Sequence, residues 1–148
     1  MDREKALSKC MNICSMREYC IYDIEQKIDR WEVKEVDREY IIRRLLEDNF
    51  INHNRYVKAF INDKLLYNHW GKIKIRYHLK HKNIEVNIIE TYIDKIDEIT
   101  YKNIIDTEII KKKKSVKGKD EFEINQKVAR FLISKGFEPN IVFDRLKK

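Results

Sequence analysis

Two histidines three residues apart, His78 and His81, come nearest to a metal site in this chain. On a helix that spacing brings two imidazoles to one face. No cysteine or carboxylate at a recognised spacing completes the set, and HExxH is absent, so both are read as surface histidines and no metal is expected. Cys10, Cys14 and Cys20 are odd in number, crowded at one end and without CxxC spacing. They are read as packed thiols rather than disulfides. The three glycines form no GxG unit, so the backbone cannot build a P-loop or dinucleotide cradle, and GxSxG is missing. Acidic residues interleave with Lys and Arg as on solvated helix faces, which sets apart no catalytic pair. The expectation is a protein that is not an enzyme, with no catalytic residues and no cofactor.

The basic residues carry more information. Lys72, Lys74, Arg76, Lys80 and Lys82 fall on or beside one short segment flanked by Trp70 and Tyr77. Lys111 to Lys114, Lys117 and Lys119 make a second cluster. Cations interleaved with aromatics suit a phosphate backbone or single-stranded bases. Against this, Trp70 reads as a packing residue, and a lysine cluster also serves to solubilise a helix. The formal net charge of +7 favours a polyanionic partner.

The elements that position these residues are helices. Charged residues are 39% of the chain, and three Gly with one Pro leave little turn punctuation. Residues 2 to 13 read as a short helix. Ser15 and Glu18 have capping-box spacing and open a second helix through Ile21, Ile24 and Ile28. Asp37 reads as the N-cap of a third, which carries Ile41, Ile42, Leu45 and Leu46. Asn52 caps a helix with Tyr56, Ala59, Phe60 and Tyr67. Helices follow over about 72–82 and 85–96, the latter with Ile89, Tyr92, Ile93 and Ile96 at helical spacing. Another begins near Thr100 and runs into the Lys111–Lys119 stretch, as its frayed end or as a basic loop. The last two span 121–135, closed by a left-handed Gly136, and the segment after Pro139. No apolar run approaches the roughly 20 residues of a membrane span, and the charged N-terminus lacks a signal-peptide core. No membrane partner and a cytoplasmic location are expected.

Self-similarity organises these helices. Leu79 to Ile88 and Leu132 to Ile141 repeat one pattern, with Ile84 and Phe137 in register 53 residues apart. A weaker copy places Val33 51 residues before Ile84. A period near 50 fits three short helices. The fold class expected is all-α, with about nine helices as tandem three-helix repeats forming an elongated, curved molecule. The boundaries fall at 1–50, 51–97 and 98–148. Such stacks present binding surfaces and rarely enclose an active site.

The middle of the chain resembles the core of the RecX regulators. The resemblance rests on Asn49 to Phe60, on Trp70 to Leu79 and on Lys82 to Ile84. Within these, Arg55, Tyr56, Ala59, Phe60, Gly71, Ile75, Leu79, Lys82 and Ile84 match the family pattern. Lys127 to Phe137 is similar to the second signature, a helix ending in a Gly-Phe turn. His53 stands where an acidic residue is usual, and Asn83 and Glu32 stand at turn positions where the family uses Gly. Asn tolerates the left-handed conformation. The resemblance implies a monomeric, all-helical modulator of RecA. It would bind RecA and the RecA filament on single-stranded DNA, limiting ATP hydrolysis and strand exchange. The candidates for RecA or DNA contact are Arg55, Lys58, Lys72, Lys74, Arg76, Lys80 and Lys82, with single- or double-stranded DNA as a further partner. The rival reading is a DNA-binding helical repeat protein that acts in transcription or repair without RecA. Three comparable units argue against a single helix-turn-helix module.

Overall fold

The computed structural model describes residues 1–148. It contains nine α-helices and no strand. They are α1 (Arg3–Met16), α2 (Ile21–Arg30), α3 (Glu35–Glu47), α4 (His53–Leu66), α5 (Lys72–His81), α6 (Val86–Asp94), α7 (Glu98–Lys113), α8 (Glu121–Ser134) and α9 (Pro139–Leu146). Side-chain caps start several of them. Asn52 Oδ1 accepts from the Arg55 amide at 3.0 Å, Asp97 from Thr100 at 2.9 Å and Asp120 from Glu123 at 2.8 Å. Each satisfies an amide that the helix leaves unpaired. Pro139 occupies the first turn of α9, where no amide donor is needed.

Two helix starts differ from the sequence reading. Ser15 does not cap α2. The helix α1 continues through it to Met16, and the Ser15 hydroxyl donates to the Asn12 carbonyl at 2.6 Å. Ala6, Leu7, Cys10 and Cys14 form a buried helical stripe that outweighs the local capping signal. The next helix opens at Cys20, whose amide donates to Asp23 at 3.4 Å. The third starts at Glu35, so Asp37 lies within the first turn, where its charge still favours the helix N-terminus.

Three inter-helix turns share one backbone shape. Glu32 (φ 55°), Asn83 (φ 58°) and Gly136 (φ 94°) are left-handed. Each donates its amide to the carbonyl three residues back: Asp29 at 3.3 Å, Lys80 at 3.0 Å and Ile133 at 3.0 Å. The residue after each turns inward. Ile84 and Phe137 are buried, whereas Val33 is half-buried against a smaller cluster.

The apolar interior is split. One cluster of 9 buried residues joins α1, α2 and α3 with Ile51. A second of 19 runs through α4 to α9 and takes in Cys20. The chain exposes 9292 Å², against ~8,100 Å² for a compact monomer of its mass. A row of helical modules with two cores has this excess.

The junctions between these helix groups differ in kind. Between α5 and the α8–α9 turn the contact is backbone to backbone. Gly71 N–H donates to the Lys135 carbonyl at 2.8 Å, and Ile73 N–H to the Gly136 carbonyl at 3.0 Å. Lys72 N–H donates to the Tyr101 hydroxyl at 3.0 Å. Thus the first-turn amides of α5 are satisfied by the C-terminal third of the chain. Between α1–α3 and α4–α6 the polar contacts run mainly through side chains. His53 Nε2 accepts from the Ile21 amide at 3.1 Å, and its Nδ1 faces Glu85 at 3.0 Å.

Candidate protein and nucleic-acid interface

The seven candidate cations divide into internal and external sets. Arg55 belongs to the first junction. Its Nε donates to Glu18 at 2.8 Å, and its Nη2 donates to the carbonyls of Asn49 and Phe50 at 3.0 and 3.3 Å. Lys82 does the same work lower down, donating to Asp23 at 2.8 Å and to the Tyr56 hydroxyl at 3.0 Å. Burial alone would depress the Lys82 pKa. The bonds to Asp23 and Tyr56 outweigh it and hold the ammonium above the usual lysine range. Burial likewise pushes the Tyr56 phenol up, so the hydroxyl stays protonated.

The basic helix α5 does not present its cations in one direction. Arg76 forms a two-bond pair with Glu90 at 2.8 and 3.0 Å, and that bond holds the Glu90 carboxyl below its ordinary range. Lys72 lies 4.6 Å over the Tyr101 ring. Lys74 points the other way, 4.4 Å over the Trp70 ring. Lys80 is exposed. Lys58 is exposed at the rim of a cavity of about 340 Å³ lined by Ile61, Leu65, Leu66, Tyr92 and Ile96. The sequence cluster therefore becomes two faces, because 72, 76 and 80 follow one helical stripe and 74 another.

On the Lys74 side an aromatic series crosses α4 and α5. Tyr56 stacks on Phe60 at 5.9 Å, Phe60 meets Trp70 at 6.3 Å, and Trp70 meets His78 at 4.7 Å. Tyr77, more than half exposed, lies against His78 and His81. The two histidines are thus partners of aromatic rings. Burial and the neighbouring Lys74, His81, Lys64 and Lys82 charges lower the His78 pKa.

The family models for the second and third three-helix domains of RecX match residues 52–93 and 105–144. The regulatory protein RecX of Clostridium botulinum (strain Alaska E43 / Type E3) is 30% identical over 162 residues, covering 99% of this chain and 74% of its own length. This chain belongs to the RecX family. The regulatory protein RecX of Clostridium beijerinckii is 35% identical over 133 residues, 86% of this chain, and the match spans 62% of that relative's length. The crystal structure of RecX from Lactobacillus salivarius shares the fold, with a TM-score of 0.85 at 19% identity, covering 98% of this chain and 94% of that one. A second RecX crystal structure gives the same TM-score at 21% identity, covering 96% of this chain.

All seven candidates lie within the matched second domain. The fold adds residues that sequence reasoning left out. Arg17, Lys27 and Arg30 lie with Tyr19 along the α1–α2 corner, in a groove that also touches Lys82. Lys64 lies beside Phe60 in the adjoining groove. Nothing in the local sequence marks them, since one groove forms where α1–α2 meet Lys82 at the end of α5 and the other where Arg17 and Glu18 meet α4.

Proposed function

We propose that the protein is a non-enzymatic regulator of RecA that binds RecA and its filament on single-stranded DNA and inhibits ATP hydrolysis and strand exchange. The observation that carries this reading is the similarity to regulatory proteins named RecX over 99% of the chain. An extended row of helices with open grooves suits a partner that is itself long and grooved. No helix is long and apolar enough to cross a membrane. In this reading the protein acts in the cytoplasm, as a monomer and without a cofactor. The units 1–50, 51–97 and 98–148 are the modules of this surface.

Within that surface the external cations Lys58, Lys72, Lys74 and Lys80 are the contacts we assign to RecA or DNA. Arg55 and Lys82 tie the first module to the second, and Arg76 pairs with Glu90 within the second. The test is RecA-dependent ATP hydrolysis and strand exchange on single-stranded DNA with increasing protein. Inhibition below one protein per RecA is expected, because blocking one filament end or groove affects many subunits. Unchanged rates at excess protein would refute the reading and favour a DNA-binding protein acting without RecA.

A further inference from the structure

On the side of α4 away from Tyr56, Phe60 and Lys64, a second row of side chains is left open. Lys58, Ile61, Asn62, Leu65 and Leu66 recur at intervals of three and four and line the cavity of about 340 Å³. The end of α6 adds Tyr92, Lys95 and Ile96, and the start of α7 adds Asp97. None of these residues belongs to the basic grooves that Arg17 and Lys82 share. The row on α4 runs about 12 Å, a little over two helical turns.

The floor is apolar and the rim cationic. Ile61 and Leu65 are buried, Tyr92 and Ile96 are half-buried, and Leu66 is 49% exposed. Lys58 and Lys95 are exposed, and neither forms an ion pair. Lys95 lies 4.9 Å over the Tyr92 ring. The acid of the groove is already used. Asp97 accepts from the amide and the hydroxyl of Thr100, both at 2.9 Å, as the cap of α7. It therefore leaves the two ammonium groups without an anion.

We propose that this groove docks an acidic amphipathic helix of a partner protein. A row at helical spacing over an apolar floor is what the apolar stripe of a second helix packs against. Two unpaired cations beside that floor select carboxylates flanking the stripe. Nucleic acid fits poorly, since the site offers two cations and a single ring that Lys95 covers. The proposal goes beyond the RecA reading and narrows Lys58 from a contact for RecA or DNA to a contact for protein.

The test contains neither RecA nor DNA, so its failure leaves the regulatory reading standing, and failure of RecA inhibition leaves this one standing. Anisotropy of a fluorescein-labelled peptide is measured with the full-length protein at low salt. The peptide is about 16 residues long, enough for an isolated helix to begin to hold. It has leucines at i, i+4, i+7 and i+11, with glutamate and alanine elsewhere. One comparison peptide carries lysine for every glutamate, and another a central proline that breaks the helix. The acidic helix should bind about tenfold more tightly than either. Leu66→Glu should weaken it by about tenfold, the scale of losing one buried leucine. Lys58→Glu with Lys95→Glu should reverse the preference, so that the lysine peptide binds better. Lys111→Glu with Lys114→Glu changes the net charge equally but lies outside the groove, and should weaken the acidic peptide much less. All five positions are exposed, and circular dichroism like the parent checks each fold. Equal loss in both charge pairs would assign binding to bulk charge and overturn the site. Equal binding of the proline peptide would overturn the helix. Displacement by decanoate as readily as by unlabelled peptide would make the groove a slot for small anionic amphiphiles and overturn the proposal. So would absence of binding by the acidic peptide.

Discussion

A β-carbon on Gly71 would sit 2.2 Å from the carbonyl carbon of Gly136, and one on Gly136 would sit 2.3 Å from Cβ of Lys74. Two short backbone bonds require that approach, so the glycines answer each other across the second junction. Gly71 has an ordinary φ of −79°, which makes its need one of space. Gly71→Ala should therefore destabilise by about 3 kcal/mol through overpacking against rigid backbone, read as a lowered urea midpoint of Trp70 fluorescence. A loss below about 1 kcal/mol would mean the junction can slide apart. Glu108 is a second residue with a defined consequence. It is 5% exposed, accepts from Lys135 at 2.7 Å and faces His69 at 3.3 Å. Burial pushes its carboxyl up, but Lys135 and His69 outweigh that and leave the pKa below its ordinary 4.5. A carboxylate depressed by folding adds stability above its unfolded pKa and loses it as pH falls through the folded value. Glu108→Gln should cost about 1–3 kcal/mol near neutral pH by leaving Lys135 without its anion, and the difference from the parent should shrink as the pH falls below the ordinary 4.5 and through the depressed folded value. A pH-independent difference would contradict the ion-pair account.

Elements report on cooperativity. The helices α1–α3 share a core of 9 buried residues and meet α4–α6 through Arg55–Glu18, Lys82–Asp23 and His53. These pairs are part-exposed, and such pairs contribute little, typically under ~1 kcal/mol each. The remaining six helices with their turns, together with Cys20, share 19 residues, and they have a backbone-bonded junction. Trp31 packs on the smaller core and Trp70 on the larger. In urea, Trp31 fluorescence (in Trp70→Phe) should change at a lower midpoint than Trp70 fluorescence (in Trp31→Phe). Coincident midpoints would make the chain one cooperative unit. Burial pushes the thiols of Cys10, Cys14 and Cys20 to about 12, 11 and 11. A thiol reagent should thus label Cys10 and Cys14 only with the earlier transition, and Cys20, which packs in the larger core, only with the later one. Much of this architecture was legible in sequence where one residue type dictates one geometry. Asn52 as a cap, Asn83 and Gly136 as left-handed turns, and Pro139 in a first turn are local chemistry. The Ser15–Glu18 motif misled because a buried stripe from Ala6 to Cys14 carries α1 past it. Site reading was less complete, for a long-range reason. Arg55 and Lys82 look like free cations until partners 37 and 59 residues away are placed beside them. The grooves that bring Arg17, Lys27 and Lys64 around Lys82 have no contiguous signature at all.

At the scale of the whole molecule, length itself becomes a functional variable. A row of modules touching a filament at several points gains affinity from the connection, because each later contact is intramolecular. The gain depends on the modules holding a common geometry. The first junction, polar and side-chain mediated, is where that geometry is easiest to lose. Residues 51–148 contain every residue of the larger core but Cys20, together with the glycine-locked junction, so this fragment should fold alone with helical content and Trp70 fluorescence like the parent. It lacks Arg17, Tyr19, Lys27 and Arg30, and with them one end of the groove. Its inhibition of RecA strand exchange should need at least tenfold more protein, the lower side of what linked modules typically confer. Adding residues 1–50 in trans should not restore potency, since covalent linkage supplies the effective concentration. An intermediate case separates linkage from contact. Arg55→Ala keeps the chain continuous and every groove cation present, yet removes the bond to Glu18 and the two to the α3–α4 carbonyls. If geometry matters, this variant should lie between fragment and parent in strand-exchange inhibition while melting like the parent in its Trp70 signal. If Arg55→Ala inhibits as well as the parent, the first module acts as a tethered weight and its orientation carries no information.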